Sequence, residues 1–417
     1  MENQFEAILL SQLAKHYQTP RELKYANDPG FRLSPIEYEG YLKYVDGLLG
    51  KDKHFALYPL PSFNSSHIYH AFSAEIVSLV EDYVALVEED TATNHSFLSD
   101  RNPFDFDRSR IYSEIEGSLN VESVPTTRRR VKDLLEKKEA PKSRNDIIIS
   151  NMGDAIAFLA KKPVFNQENL FSLYTLLSRN CLEKDDMLRP GDFYRYDEVE
   201  VDGYLGCPPD RIEAHMNALF AYVNEQLVHP SGALSSFLLP HVCHYYLLLV
   251  HPYFDDNGRT ARMVSFWINL LANNRIVPPL FSEAINQTKT AYYKAIRDAR
   301  TAHNDMTYFL RYLLSTGITY YLCYKDLEII HQAAKNKGCV LTETDVNYIK
   351  RIIVSYKGAF DYRDFLAHCN IEISKQGALK ILNRFVDLGI LKEAESKTKT
   401  KLFLLDKAMI KYSKVDR

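Results

Sequence analysis

Apolar residues recur at helical spacing through most of this chain, and the stretches that alternate are few and short. Ile68–Val87, Asp146–Ala160, Asn166–Leu177 and Pro209–Leu227 carry apolar positions three and four apart, which predicts helices. Ser109–Gly117 reads as a short helix ended by its glycine, and Thr127–Lys138 as a basic, solvated helix. Phe55–His67, rich in Ser, Pro and aromatics, reads as irregular. Glu183–Gly206 holds the clear β signal of the middle of the chain. Arg195–Val201 alternates there after the turn pair Pro190-Gly191, which predicts a hairpin. Beyond Gly338 the texture changes. Thr342–Tyr356, Tyr362–His368 and Ser374–Leu388 read as three helices, the last with Ser374 as N-cap and Gly389 as its stop. Two strands, Ile390–Glu395 and Lys401–Leu405, follow. The pattern is that of a mainly α protein.

The composition adds exclusions. With 417 residues, 46% hydrophobic and 25% charged, the chain has length for two or three domains with real cores. A net charge of -3 gives it no bulk affinity for nucleic acid or membrane. Its 6 cysteines form no CxxC pair, so neither a zinc ribbon nor a disulfide framework is indicated, and a cytoplasmic protein with reduced thiols is the simplest account. The acidic start, Met1-Glu-Asn-Gln-Phe-Glu, lacks the basic region of a secretion signal. Gln226–Phe254 contains no Asp, Glu, Lys or Arg, but Pro230, Gly232, Pro240 and its histidines fit two buried helices better than a membrane span.

The densest chemistry lies in His251-Pro-Tyr-Phe-Asp-Asp-Asn-Gly-Arg-Thr-Ala-Arg262. Asp255 is a hard oxygen ligand suited to Mg²⁺, which keeps few protein carboxylates and shares its other sites with water and phosphate. Asn257 and Gly258 make a turn that starts an apolar helix, so the first helical N–H groups face an anion. Arg259 and Arg262, three apart on one helix face, are two forks for neighbouring phosphates. His251 stands just before the loop with the chemistry of a general base. A solvated loop with a helix cap is the competing reading.

This string resembles the signature of the Fic (Fido) family of nucleotidyltransferases, His-Pro-Phe-x-Asp/Glu-Gly-Asn-Gly-Arg-x-x-Arg. Tyr253 stands for Phe, and Asp256 for the first Gly, putting a side chain where the family brings bare backbone to the phosphates. The order of Pro190–Arg195, the Val-x-Val strand, Pro208-Pro209 and the leucine-rich helix into His251 extends the resemblance over about 150–320. It implies a helical Fic core with a β-hairpin flap and transfer of AMP from ATP to a Ser, Thr or Tyr hydroxyl of a protein target, the chain itself included. His251 would be catalytic and Asp255 would hold Mg²⁺. Asp256, Asn257, Gly258, Arg259, Arg262 and Tyr293 would meet ATP. Tyr292-Tyr293 resembles a family pair beside the adenine, with two core tyrosines as the competing reading; Arg300 replaces an asparagine common after that pair. Ser113-Glu-Ile-Glu-Gly117 resembles the family's inhibitory helix, Ser/Thr-x-x-x-Glu-Gly/Asn, which implies that Glu116 pairs with Arg262 and restrains the enzyme.

Three domains are therefore expected: 1–145, helical and carrying the inhibitory helix at about 109–117; a core at 146–335; and 338–417. The last carries 15 Lys and Arg against 10 Asp and Glu, a formal +5, and its helices and hairpin resemble a winged helix-turn-helix. There Ser374, Lys375, Gln376 and Lys380 would face a DNA major groove, and the Lys397–Lys401 wing the flanking groove. Docking or homodimerisation is the competing use. The alternative for the whole chain is a DNA-binding regulator whose core senses nucleotide or mainly removes AMP.

Overall fold

The computed structural model describes residues 2–94, 108–201, 203–232, 235–273, 281–356, 358–369, 373–395 and 399–411. The chain divides into two compact units, 1–316 and 317–417.

The first unit begins with α1 (Glu2–Ala14), α2 (Pro20–Lys24) and α3 (Pro35–Leu48), then a hairpin of β1 (Phe55–Tyr58) and β2 (Ile68–Ala71), then α4 (Ala74–Asn94). Local chemistry sets several of these starts. Thr19 and Ser34 close capping boxes with Glu22 and Glu37, each with proline at the first helical position. The expected helix from Ile68 begins instead as strand, with Phe55 opposite Ala71, so part of the stretch expected to be irregular is paired. Ser73 then accepts from the Ile76 N–H at 3.2 Å and turns the chain into α4.

Next come α5 (Arg108–Val121), α6 (Arg128–Leu135), α7 (Arg144–Leu159) and α8 (Gln167–Ser178). The short strands β3 (Glu200–Val201) and β4 (Tyr204–Leu205) precede α9 (Pro209–Val228), α10 (Ser235–Val250) and α11 (Asn257–Asn273). After these come α12 (Phe281–Gln287), α13 (Lys289–Thr301) and α14 (Thr307–Asn336). The uncharged run becomes the end of α9 and all of α10, whose residues from Leu239 to Val250 are buried. Among the described residues, no helix is long and apolar enough to cross a membrane. α10 packs against α11, and the fully buried Trp267 donates its indole N–H to the Pro163 carbonyl at 3.0 Å.

Residues 1–145 do not stand apart from the core as a domain of their own. The Tyr17 hydroxyl donates to Asp305 at 2.7 Å, the Met306 N–H to Tyr69 O at 2.7 Å, and the Tyr246 hydroxyl to Pro61 O at 3.0 Å. A domain boundary falls where few contacts cross, and these buried ties cross the expected one.

One close approach matters for the site. α5 lies against α12 so tightly that a Cβ on Gly117 would fall 2.5 Å from Glu283 N and 2.6 Å from Ser282 C, both backbone atoms that cannot swing away. The buried Glu114 carboxylate accepts from the Ser282 N–H at 2.9 Å in the same seam. Gly117→Ala should therefore lower the unfolding free energy by about 1–3 kcal/mol, read from a denaturant melt followed by circular dichroism.

The second unit gathers α15 (Glu343–Ser355), α16 (Tyr362–Cys369), α17 (Lys375–Asp387) and an antiparallel pair, β5 (Leu391–Ala394) and β6 (Leu402–Leu405). Ile349, Phe365, Leu382, Phe385 and Phe403 centre its core, and Phe360 bridges to Phe403. Ser374 caps α17, and Gly389 ends that segment at φ +78. The unit starts before the expected Gly338, because Cys323, Leu327, Ile330 and Ala334 of α14 belong to this core. Ser374, Lys375, Gln376 and Lys380 are exposed. Lys397, part of the expected wing, lies outside the described residues.

Candidate active site

α10 stops at Val250 because His251 takes a positive φ of 54°, and α11 starts after Asp256 at φ 65°. Asn257 holds the loop between them. Its Oδ1 accepts from Tyr253 N at 2.9 Å and its Nδ2 donates one of its two hydrogens to Tyr253 O at 2.8 Å, so this buried amide clamps the turn. Asn257 therefore positions the loop that its expected contact with ATP would use. Tyr253 stacks flat on Tyr174, ring centroids 3.7 Å apart, which accounts for an aromatic at this place.

His251 is held neutral. Burial and the neighbouring Arg300 and Arg195 push its pKa down to about 3, while one ring N–H bonds to the Leu248 carbonyl. The other ring nitrogen keeps its lone pair, as a general base requires. Protons then bind the unfolded chain more readily than the folded one between about pH 6.5 and 3. This group therefore costs stability increasingly as pH falls through that window. Between pH 7 and 5 the His251 ring resonances should not titrate, checked by proton–carbon NMR with His251→Gln for assignment.

Two arginines outside the signature hold the histidine's surroundings. Arg195 is fully buried; its Nε donates to His251 O at 2.8 Å and its other nitrogens to Asp197 O and Cys207 O. This side chain explains why the expected hairpin is short. Its carbonyl partners at Asp197 and Cys207 bracket the hairpin, and Glu200–Val201 and Tyr204–Leu205 are the residues that pair. Arg300 reaches from α13 to Leu248 O at 2.6 Å and stacks on Tyr204, 3.9 Å from the ring centroid, tying the hairpin to the end of α10. Neither role was visible in the sequence, where Arg195 sat in an alternating run.

Both signature arginines already meet carboxylates. Arg259 is buried in an ion pair with Asp256, so the residue that replaces the family's glycine holds the first fork inside the loop. Arg262 donates to Ser118 Oγ at 2.9 Å, Ser118 O at 3.0 Å and Glu122 Oε1 at 2.8 Å. The expected carboxylate partner was Glu116; the structure sets Glu122 there. Ser118 and Glu122 are four apart and share a side of α5 and its exit, whereas six residues separate Glu116 from Glu122 and rotate it well away. Gly117 is accounted for by the α12 seam. Ser123, after Glu122, takes φ 59°, the backbone that favours Gly or Asn. A Cβ on Gly258 would meet the Glu122 carboxylate at 2.2 Å, so that carboxylate lies directly over the N-terminus of α11.

A cavity of about 380 Å³ joins these parts, lined by Glu122, Arg144, Val201, His251, Asp255 and Gly258 among others. Asp255 is exposed at this wall, its Oδ1 accepting from Asp256 N at 2.7 Å. Among the described residues, no group of three or more His, Cys, Asp or Glu could hold a metal ion. A lone carboxylate beside an anion site is nevertheless the donor set Mg²⁺ uses when phosphates complete its shell. Tyr293 does not line this cavity; it packs edge-on against the buried Tyr292 at 5.2 Å.

Residues 164–268 match the Fic/DOC family. The chain is 30% identical over 125 residues to protein adenylyltransferase Fic of Nematostella vectensis, covering 29% of this chain and 26% of that protein. It is 25% identical over 174 residues to protein adenylyltransferase fic-1 of Caenorhabditis elegans, covering 41% and 32%. The matched part thus spans less than half the length of either relative. A Fic family protein from Desulfovibrio desulfuricans G20 superposes with a TM-score of 0.49 at 17% identity, over 81% of this chain and 97% of that one.

Proposed function

We propose that this chain, whose residues 164–268 match the Fic/DOC family, transfers AMP from ATP to a hydroxyl side chain of a protein, with Glu122 as its intramolecular brake. The observation that carries this reading is the Glu122 carboxylate lying on Arg262 and over Gly258, where a helix N-terminus and a guanidinium favour an anion. A phosphate group of ATP suits the same place.

The mechanism follows from what each side chain holds. The neutral His251 takes the proton from the target hydroxyl. The oxygen bonds to the α-phosphorus as the bond to the bridging oxygen breaks, and pyrophosphate leaves with that electron pair. Backbone N–H groups at the start of α11 stabilise charge on the α-phosphate oxygens. Asp255 would hold Mg²⁺, which when bound neutralises phosphate charge. Asn257 and Arg195 fix the loop and the histidine's carbonyl, so the imidazole needs little reorganisation. The target segment would add to the β3–β4 hairpin through backbone hydrogen bonds. Incubating the purified Glu122→Gly chain with α-labelled ATP and a cell extract tests the reading: labelled protein bands absent from the His251→Ala sample are the supporting result, and an unlabelled gel rejects it.

A second reading concerns 317–417 alone. Exposed Ser374, Lys375, Gln376 and Lys380 on one capped helix, within residues 338–417 of formal charge +5, favour a winged-helix DNA reader. A gel shift on random duplex at two salt concentrations tests it. A steep salt dependence supports phosphate contacts, and no shift at low salt sends the unit to protein docking. Whether the core adds or removes AMP is decided by the same labelled assay run on a pre-modified target.

A further inference from the structure

We propose that Arg144, outside the signature, binds the outer phosphates of the nucleotide; this rests on the nucleotide reading above. Several phosphates in one cleft need more than one cation. Of the signature's two arginines, Arg259 has part of its charge offset by Asp256 inside the loop, and Arg262 is held by Glu122. Arg144 lines the same cavity as Asp255, Gly258 and Arg259, but enters from the first residue of α7. Two of its nitrogens are aimed by the Cys181 carbonyl, Nε at 3.0 Å and Nη2 at 2.6 Å, which orders the guanidinium without neutralising it. Its carboxylate neighbour, Glu183, stands 3.7 Å away with both side chains more than half exposed, a pairing that solvent weakens. A planar fork held by a neutral carbonyl at the rim of an anion cavity is arranged to take phosphate oxygens. A further cation, beside a signature arginine that Asp256 partly neutralises, is thereby supplied from a different helix.

The test uses the full chain with Glu122→Gly and titration calorimetry with ATP and with AMP, each with Mg²⁺. Arg144→Gln removes the charge yet keeps a donor for the Cys181 carbonyl, and Arg144→Ala removes both. ATP should bind about tenfold more weakly to either variant, while the affinity for AMP changes less than twofold and Arg144→Lys recovers part of the loss. Unchanged ATP affinity in both variants overturns the proposal. So does an equal loss for ATP and AMP, which would mark Arg144 as a scaffold for the Cys181 turn. If the Glu122→Gly parent binds ATP well, only the role of Arg144 is at stake; if that parent binds no ATP, the nucleotide reading falls and this one with it.

Discussion

His251→Ala should lower AMP transfer by about a thousandfold, within the range supplied by a positioned base, while changing ATP affinity by less than about threefold. The two effects separate because the imidazole acts on the attacking hydroxyl as its proton leaves and holds no phosphate in the ground state. The substitution keeps the backbone carbonyl that Arg195 holds, although alanine at φ 54° carries some strain, so a thermal melt accompanies the assay. Single-turnover incorporation of α-labelled ATP measures the first quantity and calorimetry the second, both in the Glu122→Gly background. Equal losses in both would place the histidine in binding instead.

Glu122→Gly should raise transfer by about ten- to a hundredfold. In the parent, a phosphate must displace a carboxylate that accepts from Arg262 at 2.8 Å and lies on the Gly258 backbone. A charge-assisted hydrogen bond of this kind contributes about 1.5–3 kcal/mol, which sets the fold-change. Glycine at 122 also removes the negative charge from the helix N-terminus, so ATP affinity should rise with the rate. Glu116→Gly serves as the control, since the structure gives Arg262 to Glu122. A gain from Glu116→Gly with none from Glu122→Gly would return the brake to the residue that the sequence resemblance favoured.

The helices from α7 to α11 and the second unit's three helices and hairpin were legible because apolar spacing, caps and stops agreed along each segment, whereas the 30-residue α14 was not read. Ser374 with Gly389 is such a case, and so is the run that became α10. What misled were residues whose partners lie far along the chain. Arg195 looked like the polar side of a strand, yet its donors satisfy carbonyls at 197, 207 and 251. Gly117 looked like the glycine of an inhibitory motif, whereas helix packing against Ser282 and Glu283 requires it. Ser118-x-x-x-Glu122 carried the motif's spacing, but Ser123 disguised it by taking a glycine-like backbone. The loop after His251 and the start of α11 were readable from the signature; which arginine meets which carboxylate was not, because that depends on packing between α5 and α11.

The notch at Gly117 also bears on how the Glu122 carboxylate could leave Arg262. A helix seated backbone to backbone cannot slide or roll without driving its neighbours through atoms that have nowhere to go. Its far end, the turn from Glu122 to Val124, has no such lock. Opening the pocket therefore costs least as a local unlatching of a few residues, with the rest of the rod left in its berth, and a partner that switches this protein on has only that small lever to grip.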